Sequence, residues 1–450
     1  MSNRIGLFVA ALLLAHLPGT ATAHPGEGDG TAKAEKAEPA TTLIHAGWLL
    51  AVAGEQPMRD QTIVVRGERI EQILPGFVSA TGAGANGANV IDLRDEYVLP
   101  GLMDMHVHLS FEFDAQSFVI SGTSDDTEYS DATSRSDVSK MVDAIENARK
   151  TLEAGYTTVR NVGSSGWHIA ALRDAIASGR LVGPRILTSG VTIYPGSGSG
   201  PGACSGVESC RRATREQIDR GADLIKVYAT CSGSKTCGLQ GAPSTFVPDE
   251  LEAIVDVAKT RQVKVAAHAH GEDGIRLALR SGVNSIEHGS YTPEDAHRLF
   301  KQSGAFLVPT LSVQDNIRKD IDNAEGAMLA VMQNFLDKHG PRMIAAYRAG
   351  VPIAAGSDAG VTKHGNNARE LELYVENGMP VSDAIKAATV NGAKLIGREN
   401  DLGTIEAGKL ADIIAVQANP LQDISALQSV DFVMKGGKIY RNVASDDRAD

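Results

Sequence analysis

Between Gly101 and about Arg398 the chain alternates short apolar, β-branched runs with longer stretches whose apolar residues recur at helical spacing. Eight runs read as strands: 101–108, 157–162, 185–189, 224–229, 263–268, 283–288, 306–310 and 351–358. Intervening segments such as DVSKMVDAIENARKTLEAG and PDELEAIVDVAKTRQ carry an apolar stripe on one helical face. Strands alternating with helices build a parallel sheet, and eight of them close most economically into a (β/α)8 TIM barrel. A doubly wound open sheet is the alternative. The strand count, and the ligand-type residues at strand ends, favour the barrel.

The two ends of the chain follow a different pattern. Residues 42–97 hold TLIHAGWLLAV, QTIVVRGERIEQILP and NVIDLRDEYVL, and residues 401–445 hold GTIEAGKLADIIAVQ and VDFVMKGGKIYRN. These are short strand-like runs broken by turn residues. Neither piece is long enough to close a stable sheet alone, so the simplest architecture joins both into one small β-sandwich domain flanking a barrel of residues 98–400. Residues 24–41, rich in Gly, Ala, Pro and charge, have the composition of a flexible lead-in.

Residues 1–23 read as a cleaved export signal: Arg4 supplies the positive start, Ile5 to Leu14 the apolar stretch and Ala21-Thr22-Ala23 the cleavage site. The expectation is a periplasmic or secreted protein whose mature chain begins at His24. No later run offers the roughly 20 consecutive apolar residues of a membrane span. A net charge of -12 leaves no basic excess to displace counterions from phosphates, which excludes nucleic acid as a partner. Cys204 and Cys210 lie in ACSGVESC, and Cys231 and Cys237 in CSGSKTC, both Gly/Ser-rich segments. In an exported chain an even cysteine count points to disulfides, with three pairings open; zinc is the alternative, but the spacings are not CxxC.

The candidate chemistry sits at the ends of the strand-like runs. In LPGLMDMHVHL, His106 and His108 are two residues apart, so on a strand both imidazoles face the same way. Alone, that pair is weak evidence. Lys226 in ADLIKVYAT, His268 in VKVAAHAHG, His288 in VNSIEHG and Asp358 in PIAAGSDAG bring further groups to the same mouth of a barrel. Imidazole and carboxylate suit Zn²⁺ and related divalent ions. Lys226, as an ammonium, cannot ligate; it is a satisfied structural charge, a substrate anchor or a lysine carboxylated by CO2. His270 and Tyr228, each two residues beyond a candidate, could contact substrate. His364 reads as a solvated loop histidine, and His45, His168, His297 and His339 have no ligand-like setting.

LPGLMDMHVHL, IKVYAT, HAHGEDGIRLAL, SGVNSIEHGS, IAAGSDAG and NDLGTIEAGKLADIIAV together resemble the amidohydrolase superfamily, over nearly the whole mature chain. The lysine-bearing run and HAHG are similar to its Xaa-Pro dipeptidase and carboxypeptidase-like branch, which includes the ochratoxin-hydrolysing amidohydrolases. The resemblance implies one metal held by His106, His108 and Asp358, a second by His268 and His288, and Lys226 bridging them as N6-carboxylysine. It further implies that Asp358 moves the proton of the attacking water and that His270 binds substrate; Tyr228, two residues after Lys226, is expected to join it, and ligand chemistry makes zinc the expected identity of the two divalent ions. The implied reaction is hydrolysis of the amide bond of a dipeptide or N-acyl amino acid bearing a free carboxylate, ochratoxin A among the candidates. A homo-oligomer is expected. The alternatives are a deaminase or cyclic amidase of the same fold, from which the lysine on the fourth run argues away, and a non-catalytic metal-binding module.

Overall fold

The computed structural model describes residues 40–112, 135–196, 200–230 and 243–443. The export signal, nearly all of the lead-in, Cys231 and Cys237 lie outside the described residues.

Both chain ends enter one seven-stranded sheet, in the order β16-β15-β14-β4-β1-β2-β3. Its strands are β1 (Thr41–Leu49), β2 (Met58–Arg66), β3 (Arg69–Pro75), β4 (Asn89–Pro100), β14 (Ile413–Val416), β15 (Phe432–Lys435) and β16 (Lys438–Asn442). β4 lies between the two contributions, parallel to β1 and antiparallel to β14. Side chains of a strand alternate between faces, and the burial follows. Val98, Ile413, Ala415, Phe432 and Met434 pack with Ile44, Ile63 and Leu93 in the sheet's own core. Their neighbours Leu99, Ile414, Val416 and Val433 pack into the main core. A sandwich of two facing sheets was the sequence expectation; the described strands of both ends form this single sheet, whose second face is covered by the main core instead.

The chain leaves β4 through Gly101, where a Cβ would lie 2.4 Å from Thr157 Oγ1, and enters β5 (Leu102–Val107). β5, β6 (Tyr156–Asn161) and β7 (Arg185–Thr188) form a three-stranded parallel arc. After the short pair β8 (Tyr194–Pro195) and β9 (Ala203–Cys204), a four-stranded parallel arc follows: β10 (Leu224–Tyr228), β11 (Lys264–Ala269), β12 (Ser285–His288) and β13 (Phe306–Val308). Strands β5, β6 and β12 are buried along their whole length, as parallel strands covered on both faces must be.

Helices connect the strands: α1 (Asp137–Glu153), α2 (His168–Ala177), α3 (Val207–Asp219), α4 (Pro248–Thr260), α5 (Glu272–Ser281) and α6 (Ala296–Ser303). After β13 come α7 (Val313–Asp320) and α8 (Gly326–Arg348); α9 (Arg369–Glu376), α10 (Val381–Ala387) and α11 (Val390–Ile396) precede the final strands. Their starts carry ordinary signals. The Ser136 hydroxyl accepts the Ser139 amide ahead of α1, and α4 opens on Pro248, whose missing N–H costs nothing in a first turn. No helix among the described residues is long and apolar enough to cross a membrane. Of the four cysteines, Cys204 and Cys210 are disulfide-bonded, joining β9 to α3.

Seven of the eight strand-like runs form strands; the eighth, 351–358, makes only isolated bridges, Ile353 to Leu307 of β13 and Ala359 to Val107 of β5. Its backbone donors are divided: the amides of Ala354 and Asp358 reach Leu307 of β13 (3.0 Å) and His106 of β5 (2.8 Å), while others turn away. The Ser357 amide donates to the Asp104 carboxylate (3.0 Å) and that of Ala355 to the Ala387 carbonyl (3.0 Å). Gly356 passes so close to β5 that a Cβ would lie 2.8 Å from that of His106. On the other side the arcs meet where the Ile193 amide donates to the Lys226 carbonyl (2.8 Å). The parallel segments thus form two arcs joined by single bridges, in place of the continuous closed ladder expected from sequence.

What crosses between the arcs is a buried ion pair. Arg160 of β6 donates to Glu287 of β12 (2.7 Å), to Ser285 (3.0 Å) and to the Met105 carbonyl (2.6 Å). Arg160 is 3% exposed and Glu287 0%. Removing one member of such a pair strands the other charge, so Arg160→Ala is expected to cost about 3–5 kcal/mol of stability in urea unfolding. A loss within experimental error of zero would show that the pair does not tie the arcs together.

Candidate metal centre

On β5 the alternation of a strand puts Asp104, His106 and His108 on one face. Asp104 lies deepest and accepts the His106 amide (3.0 Å). The His106 ring donates from Nδ1 to Glu287 (2.8 Å), which leaves Nε2 with its lone pair outward, 3.5 Å from Asp358 Oδ1. His108 repeats the arrangement: Nδ1 donates to the Gly163 carbonyl (3.1 Å) and Nε2 stands 3.4 Å from the same Asp358 oxygen. These three donor atoms lie within 4.8 Å of one another.

A second group faces the first. His268 near the end of β11, His270 just beyond it and His288 at the end of β12 bring three ring nitrogens within 4.8 Å of one another. His270 Nδ1 pairs with the Ser290 hydroxyl (2.8 Å) and His288 Nδ1 with that of Thr310 (2.8 Å). The rings of His268 and His288 are 4.5 Å apart, and those of His106 and His288 4.8 Å. Asp358 joins the groups, with Oδ2 3.9 Å from His288 Nδ1. The second group therefore holds one histidine more than the sequence reading gave it. His288, Thr310 and Asp358 all have positive φ, 71°, 55° and 55°, a conformation that side chains other than glycine adopt only under constraint.

Lys226 sits in the middle of β10, 2% exposed. Tyr228, two residues on, is in register with His268, and their rings meet edge to face at 5.2 Å. Burial, opposed by Glu287 and Asp358, brings the Lys226 ammonium down to about 8. No carboxylate among the described residues comes within the 4.0 Å of an ion pair with it.

Burial also sets the charge of the donors. Desolvation, with the Lys226 charge second, holds His108 at about 4 and His106 well below the ordinary imidazole range. Desolvation, then His339 and Lys226, holds His270 at about 3. Desolvation and the neighbouring histidines keep His288 well below its ordinary value. The rings are neutral, with lone pairs available. For Asp358 desolvation raises the carboxyl to about 7, against the pull of Lys226. Glu287 is buried as deeply, yet Arg160, His106 and Lys226 overcome desolvation and keep it ionised.

Asp358 Oδ1 is buried without a hydrogen-bond donor among the described residues, while two imidazole lone pairs converge on it. Imidazoles and a carboxylate oxygen without a donor among the described residues fit divalent cations, with His106, His108 and Asp358 as one set and His268 and His288, with His270 beside them, as the other.

Other sequence assignments divide. His364 is buried, 6% exposed, not solvated: its Nε2 donates to the Phe111 carbonyl (3.0 Å) and its amide to Glu112 (3.0 Å). His339, which sequence gave no role, lies behind the second group and donates to the His288 carbonyl (3.1 Å). His45 bonds the Val78 carbonyl in the seven-stranded sheet, and His168 and His297 lie on α2 and α6; none joins either donor group. Glu287, Arg160 and Thr310 were missed. A charged residue within a strand buried along its length was the available signal for the first two.

The amidohydrolase family model matches residues 97–440, and the chain belongs to that family. It is a hydrolase acting on C–N bonds. Among curated proteins, the ochratoxinase of Aspergillus niger is 32% identical over 443 residues, covering 90% of this chain and 87% of that protein. Among solved structures, a Xaa-Pro dipeptidase with methionine bound in its active site superposes with a TM-score of 0.80 at 38% identity, covering 90% of this chain and all of that one (100%). The A. niger ochratoxinase structure gives 0.77 at 30% identity, covering 90% and 96%.

The carboxylate behind His106 fixes both its tautomer and its orientation. Glu287→Gln, which keeps the shape, is expected to weaken divalent-metal affinity about 10–100-fold. Competition titration against a chromophoric chelator reads this directly, and an unchanged affinity would remove Glu287 from the support of the site.

Proposed function

We propose that this protein is a binuclear metal-dependent amidohydrolase that cleaves the amide bond of dipeptides or N-acyl amino acids carrying a free carboxylate. The observation that carries the reading is the pair of donor groups meeting at Asp358, one of whose oxygens has no donor among the described residues. The relatives support the substrate class: one is a Xaa-Pro dipeptidase, and another an ochratoxinase. Phe335 of α8, its ring 6.1 Å from that of His270, adds an apolar surface beside the second group, suited to a hydrophobic acyl or side-chain moiety such as that of ochratoxin A.

Zinc is the proposed metal, and two bound ions would polarise the scissile carbonyl and lower the pKa of water toward roughly 7. Asp358 takes the proton of the attacking water on a carboxylate oxygen and delivers it to the amine nitrogen as the C–N bond breaks. His270 and Tyr228 hold the substrate's oxygens. Lys226 serves as N6-carboxylysine: its neutral amine adds to CO2, forming an N–C bond and releasing one proton. The resulting carboxylate would carry negative charge, and ligand oxygens, where a buried ammonium has no ion-pair partner among the described residues. The Arg4-led apolar segment and the Cys204–Cys210 bond support an exported enzyme.

Zinc-loaded protein is expected to release free amino acids from a panel of dipeptides and N-acyl amino acids followed by mass spectrometry. Chelation should abolish the release, and Asp358→Asn should lower kcat about 10²–10⁴-fold. Inactivity of the fully loaded protein on the whole panel would leave a metal-binding module. Native mass spectrometry should show one added CO2 on the wild type and none on Lys226→Ala, which should lose activity and metal; full activity of that variant would refute the bridging role.

A further inference from the structure

Each donor group leans on a side chain from the same short stretch at the start of α9, which touches neither group directly. Asn367, 1% exposed, donates its amide to Asp104 Oδ2 (2.7 Å) and to the Ser357 hydroxyl (3.2 Å). Asp104 in turn accepts the Ser357 hydroxyl (2.5 Å), and its other oxygen accepts the amides of His106 and Ser357 (3.0 Å each). One carboxylate thus sets the distance between β5 and the segment that ends in Asp358, and Asn367 holds that carboxylate. Adjacent to it the Asp358 amide donates to the His106 carbonyl (2.8 Å).

Three residues later Glu370, also 1% exposed, does the equivalent for the other group. Its two oxygens accept the amides of Leu311 (2.8 Å) and Ser312 (2.7 Å), and the Ser312 hydroxyl (2.6 Å). These bonds pin the chain directly after Thr310, whose φ of 55° needs such restraint and whose hydroxyl fixes His288 Nδ1. Without Glu370 two buried backbone donors lose their acceptor.

We infer that Asn367 and Glu370 are positioning residues that set the two halves of the metal centre separately, Asn367 the His106–His108–Asp358 half and Glu370 the half containing His288. The inference rests on the binuclear reading. It makes the stretch 367–370, which leads into the first turn of α9, the element through which the halves share one frame, since Arg369 within it is anchored to Asp315 of α7 (2.8 Å).

The test is Asn367→Ala and Glu370→Gln, each loaded with zinc alone, with ion content by elemental analysis, site occupancy by anomalous scattering and affinity by chelator competition. Asn367→Ala is expected to lower occupancy at the first half and Glu370→Gln at the second, each with affinity about 10–100-fold weaker at one ion only. Thr310→Val should reproduce the Glu370 effect and Thr310→Ser should not; these serve if Glu370→Gln fails to fold, as Ser357→Ala serves for Asn367. Variants with lowered melting temperature but unchanged occupancy and affinity at both ions would overturn the inference. A wild type that binds fewer than two ions would instead overturn the binuclear reading.

Discussion

A carboxylate with no solvent exposure must find its compensation inside the protein, and Glu287 finds it in Arg160 and His106, both on the opposite arc. Architecture and chemistry therefore share one side chain. The guanidinium keeps the carboxylate charged, the charged carboxylate holds the proton on His106 Nδ1, and the proton on Nδ1 leaves Nε2 free to face Asp358. Asp358, buried to a similar degree but without a guanidinium, is pushed the other way. Two acids a few ångströms from the same imidazole are shifted in opposite directions because only one has a guanidinium built in beside it.

The remaining cost of the site is carried by the backbone. His288, Thr310 and Asp358 adopt positive φ, and Gly356 must be bare for its segment to lie against β5. Such conformations persist only where neighbours over-determine them. The neighbours are specific: Thr310 stands against His288, Glu370 holds the residues after Thr310, and Asp104 holds those before Asp358. Three of the five non-glycine residues with positive φ among the described residues, and the restraints that hold them, lie together at one end of the parallel segments.

The parts legible in the sequence are those governed by local periodicity. A strand's period of two places His106 with His108, and the apolar runs announce β5, β6, β10, β11 and β12, because a parallel strand is buried on both faces. The run at 351–358 has the same apolar character, yet the amides of Ser357 and Ala355 go to Asp104 and Ala387 and interrupt its ladder, and no pattern of side chains records where a backbone donor is spent. Contacts between distant elements were equally silent. Arg160 and Glu287 are 127 positions apart, and Asp104 and Asn367 263, so neither pairing leaves a trace in spacing. His364 lies in a Gly- and Asn-rich loop, whose composition suggested solvent; the Phe111 and Glu112 contacts that bury it come from the other end of the chain.

The seven-stranded sheet carries a consequence for the order of events during synthesis. β4 pairs on one side with β1, made early, and on the other with β14, more than three hundred positions later. Its second edge stays open until β14 has been made, and the face of the main core covered by Ile414 and Val433 stays open with it. Contacts of such long sequence separation close late and slowly. The strands β14 and β15 are thus the clasp on which both cores depend, since one face of each packs into the sheet's own core and the other into the main core.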